Sequence, residues 1–414
     1  MRILLWHGYL LGGTGSNVYT RALARAWTRI GHEVVVFSQE PHPERIDLGG
    51  AEVVRPEIGS TLPVFVLDRY EGLEARLLQD TTPAERKRYV EANAAALRER
   101  LPADLVFANH VLLGGPVAEA AGAPYAVKVH GSELEYSIRG NPELTRWARD
   151  SLSAARAVFV GSAHIREVLE DVLGHVDRVY EVPPGVDIHA FRPEERHAAL
   201  EALLEQSRRD PPNPGNANER LPDEKNEERL RRWFSSDEPT VLYFGKLLFN
   251  KGVHLLFRAV RDVEARALVV GFGDYRAELE AIAPPGTVFT GPLEHRHLVH
   301  LLPLVDVTVV PSIFPEAFGM VAAEAAAAGC PPLVARHSGL SEVARGLEEE
   351  YPPEHRELAS FVTGDEDDLA EKLRRMLALD PAERAELGLA ARRAAEERWS
   401  WEGVASRLLE PFNN

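Results

Sequence analysis

Cysteine is almost missing from this chain: its 414 residues include a single one, Cys330. A lone thiol forms no intrachain bridge, and its apolar neighbours fit core packing in a reducing compartment, so the chain is read as cytoplasmic. Long apolar runs are missing too. None approaches the roughly 18 residues that a spanning helix needs, and the opening "MRILLW" is too short to read as a signal peptide. Positive charge is in deficit, with 47 Lys and Arg against 64 Asp and Glu and a formal charge of -17. Such a balance repels phosphate backbones and argues against nucleic acid as the main partner, leaving a small-molecule site as the better reading. Peripheral membrane contact stays open, because Arg21, Arg25 and Arg29 share a helical stripe, although one solvated face explains them more simply.

What the sequence does contain is a repeated rhythm. The length exceeds the size at which one core usually stops growing, which implies two domains. Short β-rich runs alternate with helical patterns: "RILLW" (2–6), "EVVVF" (33–37), "AEVVR" (51–55), "DLVFA" (104–108), "YAVKV" (125–129), "AVFVG" (157–161) and "RVYEV" (178–182). The rhythm restarts with "TVLYFG" (240–245), "ALVVG" (267–271), "TVFTG" (287–291), "DVTVVPS" (306–312) and "PPLVA" (331–335). The fold class is therefore α/β, with two doubly wound parallel sheets. The expected divisions are residues 1–185, 186–238 and 239–397. The middle part opens on the stiff "VPPGVDIHAF" (182–191). It continues through a charged stretch in which 208–228 is rich in Pro, Asn and charge and is expected to be partly mobile, between two short helices. "RWSWEGVASRLLEPF" (398–412) reads as one amphipathic helix.

Two loops have the composition of anion sites. "HGYLLGGTGSN" (7–17) follows the first strand and opens a helix, so Gly12, Gly13 and Gly15 lie where backbone amides can meet a phosphate. Val18 occupies the third glycine position of a dinucleotide fingerprint, which weakens a nicotinamide reading, as Arg276 does in "GFGDYR" (271–276). "FGKLLFNKG" (244–252) puts Lys246 and Lys251 in one loop after the first strand of the second half, where two cations can hold a pyrophosphate without a metal. Solvated lysines and a flexible turn remain the plainer alternatives.

"PEAFGMVAAEAAAAG" (315–329) holds two glutamates eight positions apart in a run of small residues. An unpaired carboxylate costs several kcal/mol when buried, so Glu324 in mid-helix asks for a partner. Eight residues of helical rise cover about 12 Å, roughly the span between the sugar and the ribose of a nucleotide sugar. Glu316 would then take sugar hydroxyls and Glu324 those of the ribose, near the amides of Phe318 and Gly319 at the helix start. The alternative makes Glu316 a favourable charge at a helix N-terminus and Glu324 a half-exposed polar position. "DED" (365–367) opens a helical run and reads as a cap, so no metal is expected. His130 follows a strand at the edge where open α/β sheets place ligands, and His110 has a weaker version of that position.

Taken together these stretches resemble the retaining family-4 glycosyltransferases, the glycosyl transferases group 1, of GT-B fold. The resemblance runs through the glycine loop, "KVHGSELEYS" (128–137), "VPPGVDIHAF", "YFGKLLFNKG", "GPLEHRHL" (291–298), "PSIFPEAFGMVAAEAAAAGCPPLVA" (311–335) and "WSWEGVASRLL", and the glutamate stretch is its most specific part. It implies two Rossmann-like domains facing across a cleft, with the terminal helix (398–414) crossing back to the first. It implies a nucleoside diphosphate sugar as donor, an acceptor hydroxyl of unknown identity and no cofactor. Carried over by position, His130, Lys246, Lys251 and Glu316 are the catalytic set. Gly12, Gly13, Phe318, Gly319, Met320, Glu324 and Leu293 are the donor-binding set. Departures from the family pattern are Lys246 in place of arginine, Pro184 in place of asparagine, and one glycine instead of two in "HSGLSEV" (337–343). A nucleotide-sugar epimerase, a phosphorylase of the same architecture and a non-catalytic nucleotide-binding subunit remain alternatives.

Overall fold

A computed structural model of the chain describes residues 1–12, 15–67, 70–263 and 265–413. It divides into two compact units, residues 1–185 with 401–414, and residues 186–400.

The strands of the first unit are β1 (Arg2–Trp6), β2 (Glu33–Phe37), β3 (Glu52–Val54), β4 (Thr61–Val64), β5 (Glu74–Leu77), β6 (Leu105–Asn109), β7 (Tyr125–Lys128), β8 (Ala157–Val160) and β9 (Val179–Glu181). Seven of them form one parallel sheet in the order β3-β2-β1-β6-β7-β8-β9, and β4 pairs with β5 separately. Leu4 of the central β1 faces Val35 on one side and Val106 on the other. Both faces of β1 are covered. Ile3 and Leu5 point into one core and Leu4 and Trp6 into the other, the period of two that a strand imposes.

The second unit holds β10 (Thr240–Phe244), β11 (Arg266–Val270), β12 (Val288–Phe289), β13 (Val307–Val310), β14 (Pro332–Ala335) and β15 (Ser360–Phe361) in the parallel order β12-β11-β10-β13-β14-β15. In each sheet the order reverses once, between β1 and β6 and between β10 and β13. A crevice opens at the carboxyl ends of strands where such a reversal occurs, because the flanking connections leave to opposite faces. The loops that leave β1 and β6, and those that leave β10 and β13, are therefore the positions to inspect. They carry the glycine loop, His110, the two lysines and Glu316.

The β4–β5 pair and β15 were not anticipated: Pro63 interrupts the first of them, and β15 is two residues long. Residues 186–238 belong to the second unit. Helices Arg196–Arg208 and Asn226–Trp233 sink Leu203, Leu204, Leu230 and Trp233 into that unit's core. The charged stretch between them, expected to be partly mobile, is tied down by side chains. Arg276 binds Asp223 through two hydrogen bonds (3.0 and 2.7 Å), and Asn213 Nδ2 donates to the carbonyl of Pro222 (3.0 Å).

The terminal helix differs from the sequence reading in an instructive way. A long helix runs Pro381–Arg398, the chain breaks at Trp399 and Ser400, and a new helix covers Trp401–Arg407. Trp399 stays in the second unit, with its ring edge-on to Phe318 at 5.9 Å. Trp401 is buried in the first unit against Tyr19, and Trp27 Nε1 donates to the carbonyl of Ala405. One apolar pattern thus serves two cores.

Candidate functional site

In the second unit the lysine loop and the glutamate stretch meet. Gly252 closes the loop at φ +71°, and a Cβ there would stand 1.9 Å from the carbonyl oxygen of Pro311, so only glycine lets the two segments touch. Ile313 N then donates to the carbonyl of Asn250 (2.9 Å). Across this junction Lys251 Nζ forms an ion pair with Glu316 Oε1. Lys246 is exposed and forms no ion pair among the described residues. Glu316 is braced from behind by its own backbone: its N–H donates to Ser338 Oγ (2.8 Å) and its carbonyl accepts from Gly339 N (2.9 Å). Gly339 is the glycine retained in "HSGLSEV". A side chain there would strike Ala317 and Phe318 at 2.6 Å, whereas Ser338 adopts φ +45° and its hydroxyl supplies the brace.

The helix beyond covers Met320–Ala327, preceded by Gly319 at φ +131° with no side-chain cap. Its first amides therefore lack the usual acceptor and face outward from the helix start. Glu316 lies before this helix, not on it, so the 12 Å of helical rise assumed from sequence does not apply to the glutamate pair: Pro315 and Gly319 hold the chain out of helix between them. Phe318 is buried, while Met320 is half-buried at the first turn. Glu324 is only 8% exposed, and its Oε1 lies 3.3 Å from His295 Nε2. Leu293, buried just before the helix His295–Leu301, lies two residues from that imidazole. The carboxylate that the sequence left without a reason to be buried has a basic neighbour.

In the first unit the glycine loop is held by acid. Glu40 Oε2 accepts from Leu11 N (3.0 Å) and Gly12 N (3.4 Å), and Asn17 Nδ2 donates to the carbonyl of Gly12 (2.6 Å). Gly13 lies outside the described residues. At the carboxyl ends of β1, β6 and β7 stand His7, His110 and His130, with ring centroids 6.1 Å apart from His7 to His110 and 4.7 Å from His110 to His130. Glu133 knits them together, accepting from His130 N (3.1 Å) through Oε1 while Oε2 lies 3.4 Å from His110 Nδ1.

The tautomer of His130 follows from its neighbour. Asn109 Nδ2 donates to Thr20 Oγ1 (3.1 Å), whose own proton goes to the carbonyl of Ser16 (2.7 Å). Asn109 Oδ1 must then be the atom 2.7 Å from His130 Nε2, and it can only accept. The proton sits on Nε2, and Nδ1 keeps its lone pair. Burial, followed by His110, Lys128 and His7, holds the ring well below the usual imidazole range, so it stays neutral. Burial, then His110, brings His7 down to about 3. Burial also brings Lys128, whose Nζ donates to the carbonyl of Val182 (2.8 Å), down to about 7 against the opposing pull of Glu133. Burial would raise Glu133, but His110 and the hydrogen bonds to the carboxylate outweigh it and keep the group below the ordinary carboxylate value.

Sequence reasoning therefore found His110 and His130 in one cluster and Lys251, Glu316 and Glu324 in the other, and missed the groups that support them. His7, Asn109, Lys128 and Glu133 all lie within five residues of the carboxyl end of a central strand, and that position was the available signal. Nothing in the spacing joins His295 to Glu324. "DED" is the cap it was read as: Asp365 accepts from the amides of Asp367 and Asp368, both at 3.0 Å.

Known proteins match both halves of the chain. The glycosyl transferase 4-like domain matches residues 14–185 and the glycosyl transferases group 1 model matches residues 224–394. A D-inositol 3-phosphate glycosyltransferase of Xylanimonas cellulosilytica is 28% identical over 428 aligned residues, covering 96% of this chain and 91% of that protein. A GDP-mannose-dependent monoacylated alpha-(1-6)-phosphatidylinositol monomannoside mannosyltransferase of Corynebacterium glutamicum is 25% identical, covering 77% of this chain and 78% of its own. Among solved structures, Anabaena HepE in complex with UDP and glucose superposes with a TM-score of 0.66 at 18% identity, over 99% of this chain and 98% of the other.

Proposed function

The chain belongs to the group 1 glycosyl transferases, with the two Rossmann-like units of the GT-B fold, and from that premise we propose that it moves a hexosyl or N-acetylhexosaminyl group from a nucleoside diphosphate sugar to an acceptor hydroxyl, with retention and without a metal. The observation that carries this reading is the junction at the reversal of the second sheet. There Lys251 pairs with Glu316, close to an uncapped helix start whose helix bears the buried Glu324. Donor names among the relatives are compatible with it, since the Corynebacterium protein is GDP-mannose-dependent and the Anabaena structure holds UDP.

On this reading Lys246 and Lys251 neutralise the diphosphate, and the amides of Phe318, Gly319 and Met320 add the positive end of a helix. Glu316 takes donor-sugar hydroxyls, Glu324 takes those of the ribose, and Leu293 packs beside the nucleoside. Charge develops on the leaving diphosphate as the bond from the anomeric carbon to its oxygen lengthens, and fixed cations and amides lower that barrier most. The acceptor oxygen forms its bond to the anomeric carbon on the face the phosphate leaves, and its proton passes to a phosphate oxygen. His130, neutral and protonated at Nε2, offers Nδ1 as an acceptor for a sugar hydroxyl.

The test is release of nucleoside diphosphate from a panel of UDP-, GDP- and ADP-sugars with candidate acceptors. Lys251→Ala is expected to lower kcat by about 10²–10³-fold, and undiminished turnover would remove the carrying observation. The anomeric configuration of the product, read by NMR, is expected to match the donor. Turnover is expected to survive chelation by EDTA, and its loss would end the metal-free reading.

A further inference from the structure

The neighbour of Glu324 suggests a residue of this site that no part of the family reading assigns. His295 opens the helix His295–Leu301, its side chain is 52% exposed, and its ring stands edge-on to Phe191 at 5.5 Å. Its Nε2 lies 3.3 Å from Oε1 of the buried Glu324, and no other His, Lys or Arg lies within ion-pair distance of that carboxylate among the described residues. Glu324 is fixed on a helix whose other inward residues are alanines, so its own element offers the carboxylate no hydrogen-bond donor. A glutamate has three rotatable bonds before its carboxylate. Packing against alanine methyls leaves the last of them unspecified, whereas an imidazole on a neighbouring helix selects one orientation.

We infer that His295 is a positioning residue of the nucleotide site, holding the Glu324 carboxylate so that it meets the two vicinal hydroxyls of a ribose without first having to be ordered. Phe191, packed on the ring's edge, fixes the imidazole in turn. The inference rests on the ribose role proposed for Glu324 and adds to it. Ordering a ligand-binding carboxylate in advance raises affinity, because binding then loses less side-chain freedom. The effect falls on affinity for the nucleotide, which is the same in the free donor and through the reaction, so KM changes and kcat does not.

The experiment measures UDP and GDP binding to the full chain by calorimetry for wild type, His295→Ala, His295→Gln, Glu324→Ala and the double variant His295→Ala/Glu324→Ala. Steady-state kinetics with the matching nucleotide sugar accompany it. His295→Ala is expected to weaken the preferred nucleotide by up to about fivefold, the usual scale for losing a partly exposed ion pair. KM should rise in parallel with kcat held, and His295→Gln should recover most of the loss. The double variant should bind no more weakly than Glu324→Ala alone, since His295 acts through that carboxylate. Wild-type affinity in His295→Ala with a loss in Glu324→Ala overturns the positioning role and leaves the ribose reading standing. Additive losses would mean that His295 acts on the ligand independently, which also overturns it. Wild-type affinity in Glu324→Ala, or no binding of either nucleotide by wild type, overturns the ribose reading and this inference together.

Discussion

At the scale of single residues the first unit is built around groups kept neutral in its interior. His7 and His130 have folded values below the ordinary 6.5, so between that value and their own the unfolded chain takes up protons that the folded chain refuses. Their contribution to stability is complete above about pH 6.5 and is lost as pH falls. Urea unfolding at pH 7.5 and pH 5 should show a weaker fold at the lower pH. His7→Gln should shrink the difference by up to about 1.4 kcal/mol per pH unit. Lys128 acts in a different window. With its folded value near 7, the unfolded chain binds more protons from there up to about 10.4, so stability climbs across that range. Lys128→Met should flatten that climb between pH 7 and 9, and an unchanged slope would contradict the burial of its charge. His130 was legible in the sequence because a strand and a glycine bracket it. The atoms that fix its proton were not, since Asn109 and Thr20 come from other parts of the chain and meet only in the folded sheet.

At the scale of elements the second unit's site depends on a loop that must pass very near another. Gly252→Ala combines a left-handed backbone with a Cβ 1.9 Å from the Pro311 carbonyl. It is expected to cost about 1–3 kcal/mol in urea unfolding, and separating Asn250 from Ile313 should weaken nucleotide binding as well. A variant that unfolds at the wild-type midpoint would show that the loops can part freely. Strand positions were read from β-branched runs with errors of a residue or two, because burial on both faces leaves an unbroken apolar signature, as in Leu105–Asn109 and Tyr125–Lys128. The start of the glutamate helix was read one or two residues early. Alanine, methionine and glutamate all favour helix, but Gly319 stands at φ +131°, where a Cβ would come within 2.7 Å of Leu340 Cδ2, and that neighbour is known only from the folded chain.

At the scale of the whole molecule the two tryptophans around Ser400 mark where one unit gives way to the other. Trp399→Ala should lower the stability of residues 186–400 and leave the rest as it was, whereas Trp401→Ala should do the reverse. Each is expected to cost about 3–5 kcal/mol, the usual range for emptying a large aromatic site. Hydrogen exchange resolved by peptide would separate the two effects, and a loss spread evenly over both units would contradict the division. The sequence pattern had suggested one helix there, because two aromatic residues at a short spacing read as one apolar face. Period alone does not reveal that neighbouring residues are buried in different cores.

That division has a bearing on how the chain comes into being. Val186 N donates to the carbonyl of Trp399, closing the second unit at its own ends, while the first unit still needs Trp401, Val404 and Leu408 to fill its sheet face. As the ribosome proceeds, residues 1–185 emerge with that face bare and wait until the whole inserted unit has been made. The unit that begins later is free to finish first.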